Sequence, residues 1–460
     1  MQKLAQQSVF FPDLFSKPVQ IEFSRQSLSS NGGLLLLHAV DRRLGLSEAL
    51  ISCLTDRRQP AKVRHSLLEQ WRQRVYGLAA GYPDANDAGA LSGDPLMQLL
   101  CKGRPGPEST LASQPSLSRF ENGVDARTLV RMGHALAKTV LRDQAHRRRG
   151  ARRTRRIWID VDPTCDPTYG AQQMSLFNDF YGTSCYLPMV VTVSWDGEAR
   201  KYPVAAILRP GNADSMKGLM ATLRPLVRLL RCYFPHTPLG FRADSAFGRS
   251  DLFDWLEAQK IVYFIAFGRN SVLHQEAGEA LEVARCLATQ NGQSEALYIE
   301  TDYRAKTWSR SRRVAIKAQV VSHPGRKPKD NDRYVVTNSR RGQAEYCFRT
   351  YYGHSDQENT IKELKLDLWM DRTSCSSFLA NQFRLLLSLA AYVLMQAVQE
   401  RSGIAELARL QMGTLRLWLF RVAVRVRTSV RRIRLEFTEH YPWALLWRRC
   451  ALALGAIPAG

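Results

Sequence analysis

Three acidic residues stand where chemistry on a phosphodiester needs them. Asp162 closes the apolar run Ile157-Trp-Ile-Asp-Val-Asp162, Asp244 closes Leu239-Gly-Phe-Arg-Ala-Asp244, and Glu358 lies far downstream in a helical stretch. Hard divalent cations keep several waters and take few protein carboxylates, so a two-metal site gathers its acids from separate elements onto one edge of a sheet. No single residue of the three establishes this; the order of the elements between them supports it. Asp160 complicates the first position, because strand side chains alternate with period two and residues 160 and 162 share a face, so either could reach such a site. The plain alternative for both is turn chemistry, since Asp-Pro recurs at Asp166-Pro167 and often only starts a turn. For Asp244 it is a solvated strand end.

The elements that must position these acids change period at Arg156. Residues 157–162, 186–194 and 202–208 read as three strands, with Trp195-Asp196-Gly197 a hairpin signal between the last two. Helix follows over 212–234, strand over 239–244, helix over 249–259 and strand over 261–267. That order is the order of an RNase H-like mixed sheet in an α/β fold. Strand-like pieces such as 313–321 and 333–337 then interrupt the alternation, and helical patterning resumes from 345 to 400.

The chain therefore divides into six segments. An all-α N-terminal domain (1–145), expected to bind DNA, leads to a basic linker (146–156) and the first part of the catalytic core (157–270). A mostly β insertion (271–344) precedes the glutamate helix and a core helix (345–402), and a basic C-terminal region (403–460) ends the sequence given. In that last region the Val-Arg alternation at 422–427 predicts a strand with one basic face.

Composition points to the partner. Lys and Arg number 65 against 42 Asp and Glu, a formal charge of +23, and such an excess favours a polyanion, with nucleic acid ahead of a membrane surface. The longest apolar run, Leu385 to Met395, falls short of the roughly 20 residues of a spanning helix and reads as a buried core helix. With no basic segment followed by an apolar stretch at residues 1–8, the expected compartment is the cytoplasm. Nine cysteines without a CxxC pair give neither a disulfide framework nor a zinc site, and are expected to be reduced and mostly buried. Arg147-Arg-Arg-Gly-Ala-Arg-Arg-Thr-Arg-Arg156 reads as a solvated linker that could also lie along a DNA backbone through Arg152, Arg153, Arg155 and Arg156. Ser113-Gln-Pro-Ser-Leu-Ser-Arg-Phe-Glu121 looks like a capped helix start, where Arg119 could meet a phosphate, although an ordinary packing helix carries the same cap.

Several motifs together resemble a known family. Trp158-Ile-Asp-Val-Asp-Pro-Thr164, Leu208-Arg-Pro-Gly-Asn-Ala-Asp214, Arg242-Ala-Asp-Ser-Ala-Phe247 and Glu358-Asn-Thr-Ile-Lys-Glu-Leu-Lys365 are similar to the DDE transposases of the IS1380 family, in the IS4-like group. The resemblance covers nearly the whole chain. It implies an RNase H-like core with a β insertion before the glutamate helix, and a Mg²⁺ (or Mn²⁺) enzyme using two ions. Its partner would be double-stranded DNA, both the element's ends, which it cuts, and the target, to which it joins their 3′-hydroxyls; a homodimer or larger assembly would form on that DNA. Carried over, Asp162, Asp244 and Glu358 become the metal ligands, with Asp162 preferred to Asp160 because Thr164 follows it as a Thr or Ser does in related enzymes. Relatives also carry a Tyr, Arg, Glu, Lys pattern on the glutamate helix, matched here by Tyr351, His354, Glu358 and Lys365. Spacings of seven put Tyr351, Glu358 and Lys365 close to one helical stripe, suited to binding metal beside phosphates. His354 departs from the pattern, and a neutral imidazole cannot replace a forked guanidinium, which leaves that contact missing or passed to Arg349 or Arg372. Glu363, five residues beyond Glu358, points about 140° away.

Two further classes compete. Asp160-Val-Asp-Pro-Thr164 also matches the nucleophile loop of haloacid-dehalogenase-like phosphatases, which would require a parallel sheet after it. A catalytically inactive DNA-binding protein, or a plain nuclease, would share the basic charge.

Overall fold

The computed structural model describes residues 9–11, 16–17, 19–21, 26–106, 108–149, 155–323 and 326–458, so Arg152 and Arg153 lie outside the described residues. The chain forms two compact units. The larger comprises Leu44–Arg57 and Arg119–Val393; the other comprises Met1–Arg43, Arg58–Ser118 and Leu394–Gly460. Each unit is assembled from separated stretches, a division that contiguous composition does not reveal.

A nine-stranded mixed sheet organises the larger unit. Its strands in chain order are β1 (Ile157–Pro163), β2 (Met189–Trp195), β3 (Tyr202–Ile207), β4 (Leu239–Ala243), β5 (Val262–Phe267), β6 (Glu295–Tyr303), β7 (Arg312–Val321), β8 (Lys329–Asp330) and β9 (Arg333–Thr337). Across the sheet they run β6-β7-β9-β5-β4-β1-β2-β3, with β8 also paired to β7. The β1, β2 and β3 strands are antiparallel, whereas β4 lies parallel to both β1 and β5. Ile157 to Val161 and every residue of β2 are buried, which is why these strands read as continuous apolar runs rather than alternating ones. The crossover from β3 to β4 uses the helix Leu219–Tyr233, which buries Leu219, Leu223, Leu226, Val227 and Leu230 at helical spacing.

The segment after β5 adds two helices to its strands. It opens with two helices, Ser271–Glu276 and Gly278–Asn291, the first capped by the Asn270 side chain. Only then do β6 to β9 follow, and they prolong the core sheet, β9 pairing antiparallel with β5 and β7. The N-terminal part is likewise not all helix: Val9–Phe11 pairs with Val19–Ile21, and Leu28–Ser29 pairs with Val424–Thr428. Strands this short take their identity from a distant partner, not from their own periodicity. In Val424–Thr428 the valines are buried while Arg425 and Arg427 are exposed, as the alternation there predicts.

One helix, Phe378–Ser402, is long and apolar enough to cross a membrane, but 78% of its most apolar window is buried in the protein. All nine cysteines are free; Cys101, Cys185, Cys347 and Cys450 are buried, whereas Cys232 and Cys286 are exposed, so burial is less general than expected. The glutamate helix also differs from expectation. It is two helices, Ala344–Tyr352 and Asp356–Leu366, joined by a tight turn through Gly353, His354 and Ser355.

Candidate active site

Register brings the strand ends together. In the parallel pairing of β1 and β4, Asp160 is opposite Arg242, and two residues onward Asp162 stands near the end of β1 while Asp244 directly follows β4. The Asp244 carboxylate caps the turn Ser245–Phe247, accepting from the Ala246 amide at 2.9 Å. Glu358 is exposed in the first turn of Asp356–Leu366.

Asp162 feels the other carboxylates. Burial, against the pull of His354, pushes Asp162 up to about 6, and Asp244, Glu358 and Asp160 each push it further in the same direction. Asp244 is raised by burial, opposed by the Ala246 amide, His354 and Arg209. Tyr351 shares the field: burial, then Asp244 and Asp162, push its hydroxyl up to about 12. Among the described residues no three His, Cys, Asp or Glu side chains are already gathered to grip an ion. The three carboxylates thus share a field without converging on a point. Their donor set, hard oxygen atoms repelling one another in a half-buried place, is what a divalent cation neutralises.

Asp160 has a different environment. It is fully buried, with Oδ1 accepting from Arg242 Nε at 2.6 Å and Oδ2 from Lys201 Nζ at 2.7 Å and Arg242 Nη2 at 2.9 Å. Burial alone would raise its carboxyl; His354, Arg242 and Lys201 instead hold it well below the usual carboxylate range. His354, also buried, places Nδ1 3.5 Å from Asp160, so where the resemblance expects a phosphate-binding arginine this side chain faces a protein carboxylate.

Lys365 Nζ donates to the Cys165 carbonyl at 2.8 Å, tethering the loop after β1. Glu363 accepts from the Tyr392 hydroxyl at 2.7 Å, on the long helix Phe378–Ser402. Arg349 is exposed, its guanidinium 5.7 Å from the Tyr346 ring centre, and Arg372 is exposed as well. Arg119 is exposed on the helix Gln114–Asn122, at whose start the Ser113 carbonyl accepts from the Ser116 and Leu117 amides. Arg155 is exposed, while half-buried Arg156 lies 5.2 Å over the Trp158 ring.

Sequence reasoning missed three contributors. Arg209 donates to the Leu187 carbonyl at 2.8 Å and the Ser215 carbonyl at 2.8 Å, and its charge favours ionised Asp244. Gly211 passes so close to a small sheet (Asp166–Pro167, Leu176–Asn178, Thr183–Tyr186) that a Cβ would stand 2.1 Å from the Leu176 carbonyl oxygen. Both lie inside the quoted Leu208-Arg-Pro-Gly-Asn-Ala-Asp214 motif, where the signal was available. Lys201, next to Arg200 in the β2–β3 connection, carried none. The same small sheet exposes Phe177, with Tyr169, Phe180 and Tyr181 exposed in its loops; partial burial, and then Cys165, Asp162 and Asp244, raise the Tyr181 hydroxyl.

Comparison with known proteins gives one result. A family model described as transposase DDE domain group 1 matches residues 11–458. Among curated proteins nothing matches.

Proposed function

Because the chain belongs to the DDE transposases of group 1, a family of enzymes acting on DNA, we propose that it binds the ends of a mobile element, cuts them by metal-dependent phosphodiester hydrolysis and joins the 3′-hydroxyls to target DNA. Asp162, Asp244 and Glu358 are the proposed metal ligands. The observation that carries this is the parallel register of β1 and β4, which sets Asp162 and Asp244 at neighbouring strand ends, with Asp244 and Glu358 both raising Asp162. Two divalent ions, Mg²⁺ or Mn²⁺, would supply activation of the attacking oxygen and stabilisation of the leaving one. Tyr351 stands in the same field, and Lys365 holds the loop behind Asp162. The strand order β3-β2-β1-β4-β5, antiparallel then parallel, supports an RNase H-like reading of the core. We keep cytoplasmic location and assembly as a homodimer or larger on DNA within the same proposal.

Asp160 is left out of the ligand set because Arg242 and Lys201 occupy its oxygens. The same contacts, and the antiparallel β1-β2-β3 order, weigh against the phosphatase reading, which needs residue 160 as an accessible nucleophile in a parallel sheet. The test is nicking of a fragment carrying the element's end: cutting with Mg²⁺ or Mn²⁺ that stops with chelator is expected, and undiminished cutting in excess chelator would sink the proposal.

A second expectation concerns pH. The Asp162 carboxyl titrates near 6 in the fold and near 3.8 as an ordinary aspartate. Its protonated form therefore stabilises the fold below about 3.8, and that contribution is lost as pH rises through about 6. A cation offsets this loss only where the acids are ionised, so Mg²⁺ should raise the melting temperature at pH 7.5 and scarcely at pH 5. Asp162→Asn should remove the difference. An equal Mg²⁺ effect at both pH values in the unmodified protein would refute it.

A further inference from the structure

We infer that Lys201 and Arg242, through Asp160, are positioning residues that set the pose of Glu358 relative to Asp162 and Asp244. The inference rests on the ligand assignment proposed above.

Asp160 and Arg242 face each other across parallel neighbouring strands, and each lies two residues before a proposed ligand. By the period-two rule this charged pair occupies the same sheet face as Asp162 and Asp244, one step further into the fold. Arg242 grips Asp160 with two nitrogens and lies 4.6 Å over the Trp158 ring, so its fork is fixed from two sides. Lys201 adds a second cation to the same carboxylate, with only 3% of its side chain exposed.

The spare donors of both cations reach the chain that carries Glu358. Lys201 Nζ donates to the Gly353 carbonyl at 2.7 Å, and Arg242 Nη1 donates to the Thr350 carbonyl at 3.1 Å. These carbonyls are available because the tight turn takes their usual helical partners away: the His354 amide bonds Tyr351, and the Gln357 amide bonds His354. Orphan carbonyls at a helix break need partners when buried, and here the partners are the two cations. Gly353 has no room for a side chain, since a Cβ would lie 2.2 Å from Arg242 Nη1. Buried Gln357, the residue before Glu358, donates to the Val190 carbonyl of β2 at 2.9 Å and pins the start of the helix to the sheet. One layer of charge thus spans the two strands bearing Asp162 and Asp244 and the turn that aims Glu358.

Lys201 is the residue to change, because Lys201→Met leaves Asp160 held by both nitrogens of Arg242, whereas removing Arg242 takes away two of the bonds to Asp160 and the packing over Trp158. Two readouts apply to the full chain: Mn²⁺ affinity by calorimetric titration, and Mg²⁺-dependent cleavage of end DNA with gel-shift affinity measured alongside. We expect Lys201→Met to weaken Mn²⁺ about 10–100-fold, the range seen when groups orienting metal ligands are removed, and to lower cleavage similarly without weakening the DNA complex. Lys201→Arg, which keeps the charge and can reach both acceptors, should recover part of the loss. Gly353→Ala approaches the same contact from the other side and should reproduce the weakened Mn²⁺ binding, which keeps the inference testable if Lys201→Met does not fold. Wild-type Mn²⁺ affinity in a folded Lys201→Met or Gly353→Ala protein overturns it. Should the unmodified protein bind Mn²⁺ yet cut no DNA, the transposase chemistry fails while the positioning claim is still decided by the titration.

Discussion

Replacing Asp244 by Asn is expected to slow end cleavage by about a thousandfold or more, the scale on which single catalytic groups are felt, while end binding holds. Glu358→Gln should behave alike, because each change removes one charge from the same carboxylate field. Glu363→Gln should cut at near the normal rate, its carboxylate being occupied by Tyr392, with a stability loss of about 1 kcal/mol from the weakened hydrogen bond. The first strand supplies a sharper contrast. Asp162→Asn should stay folded and inactive, whereas Asp160→Asn leaves Lys201 and Arg242 as buried cations without their counter-ion, a loss of about 3–5 kcal/mol. Cleavage, gel-shift and thermal unfolding on the same preparations separate these outcomes. An Asp244→Asn protein that nicks at the normal rate, or a dead Glu363→Gln beside an active Glu358→Gln, would show that the acids have been assigned to the wrong face.

DNA binding should collapse with salt. Each phosphate contact contributes roughly −0.9 to the slope of log affinity against log salt, so six to ten contacts lose about 10³–10⁵ in affinity between 50 and 200 mM. A net charge of +23 makes a slope of that size the expected one. Exposed Arg155, together with Arg152 and Arg153, is expected to carry part of it, whereas Arg156 is committed to the Trp158 ring. Changing Arg152, Arg153 and Arg155 together to Gln should flatten the slope by up to about three contacts' worth. An unchanged slope would make the basic run a solvated connector only.

The strands bearing Asp162 and Asp244 were legible because both are apolar runs bounded by turn residues, and burial on two faces demands that composition. The choice between Asp160 and Asp162 was not. Period two treats them alike, and what separates them is a lysine 41 positions along the chain and an arginine on another strand. The break before Glu358 was equally hidden, since Gly353 and Ser355 keep right-handed helical angles and no proline intervenes. It is held by tertiary donors to the Thr350 and Gly353 carbonyls, which no local pattern records. By contrast the helix at 278–291 was readable from its Ala, Leu and Glu content.

The order in which the chain delivers its acids has a consequence during synthesis. Asp162 and Asp244 leave the ribosome first, and Glu358 follows Asp244 by 114 residues, a delay of roughly 6–23 s at ordinary translation speeds. Through that interval the nascent chain holds two of the proposed ligands and the Asp160–Arg242 pair, but neither the third acid nor the turn that aims it. On the assignment proposed here, a chain stalled or ended within that interval lacks a complete set of ligands, so the long separation in sequence acts as a timing safeguard as well as a matter of topology.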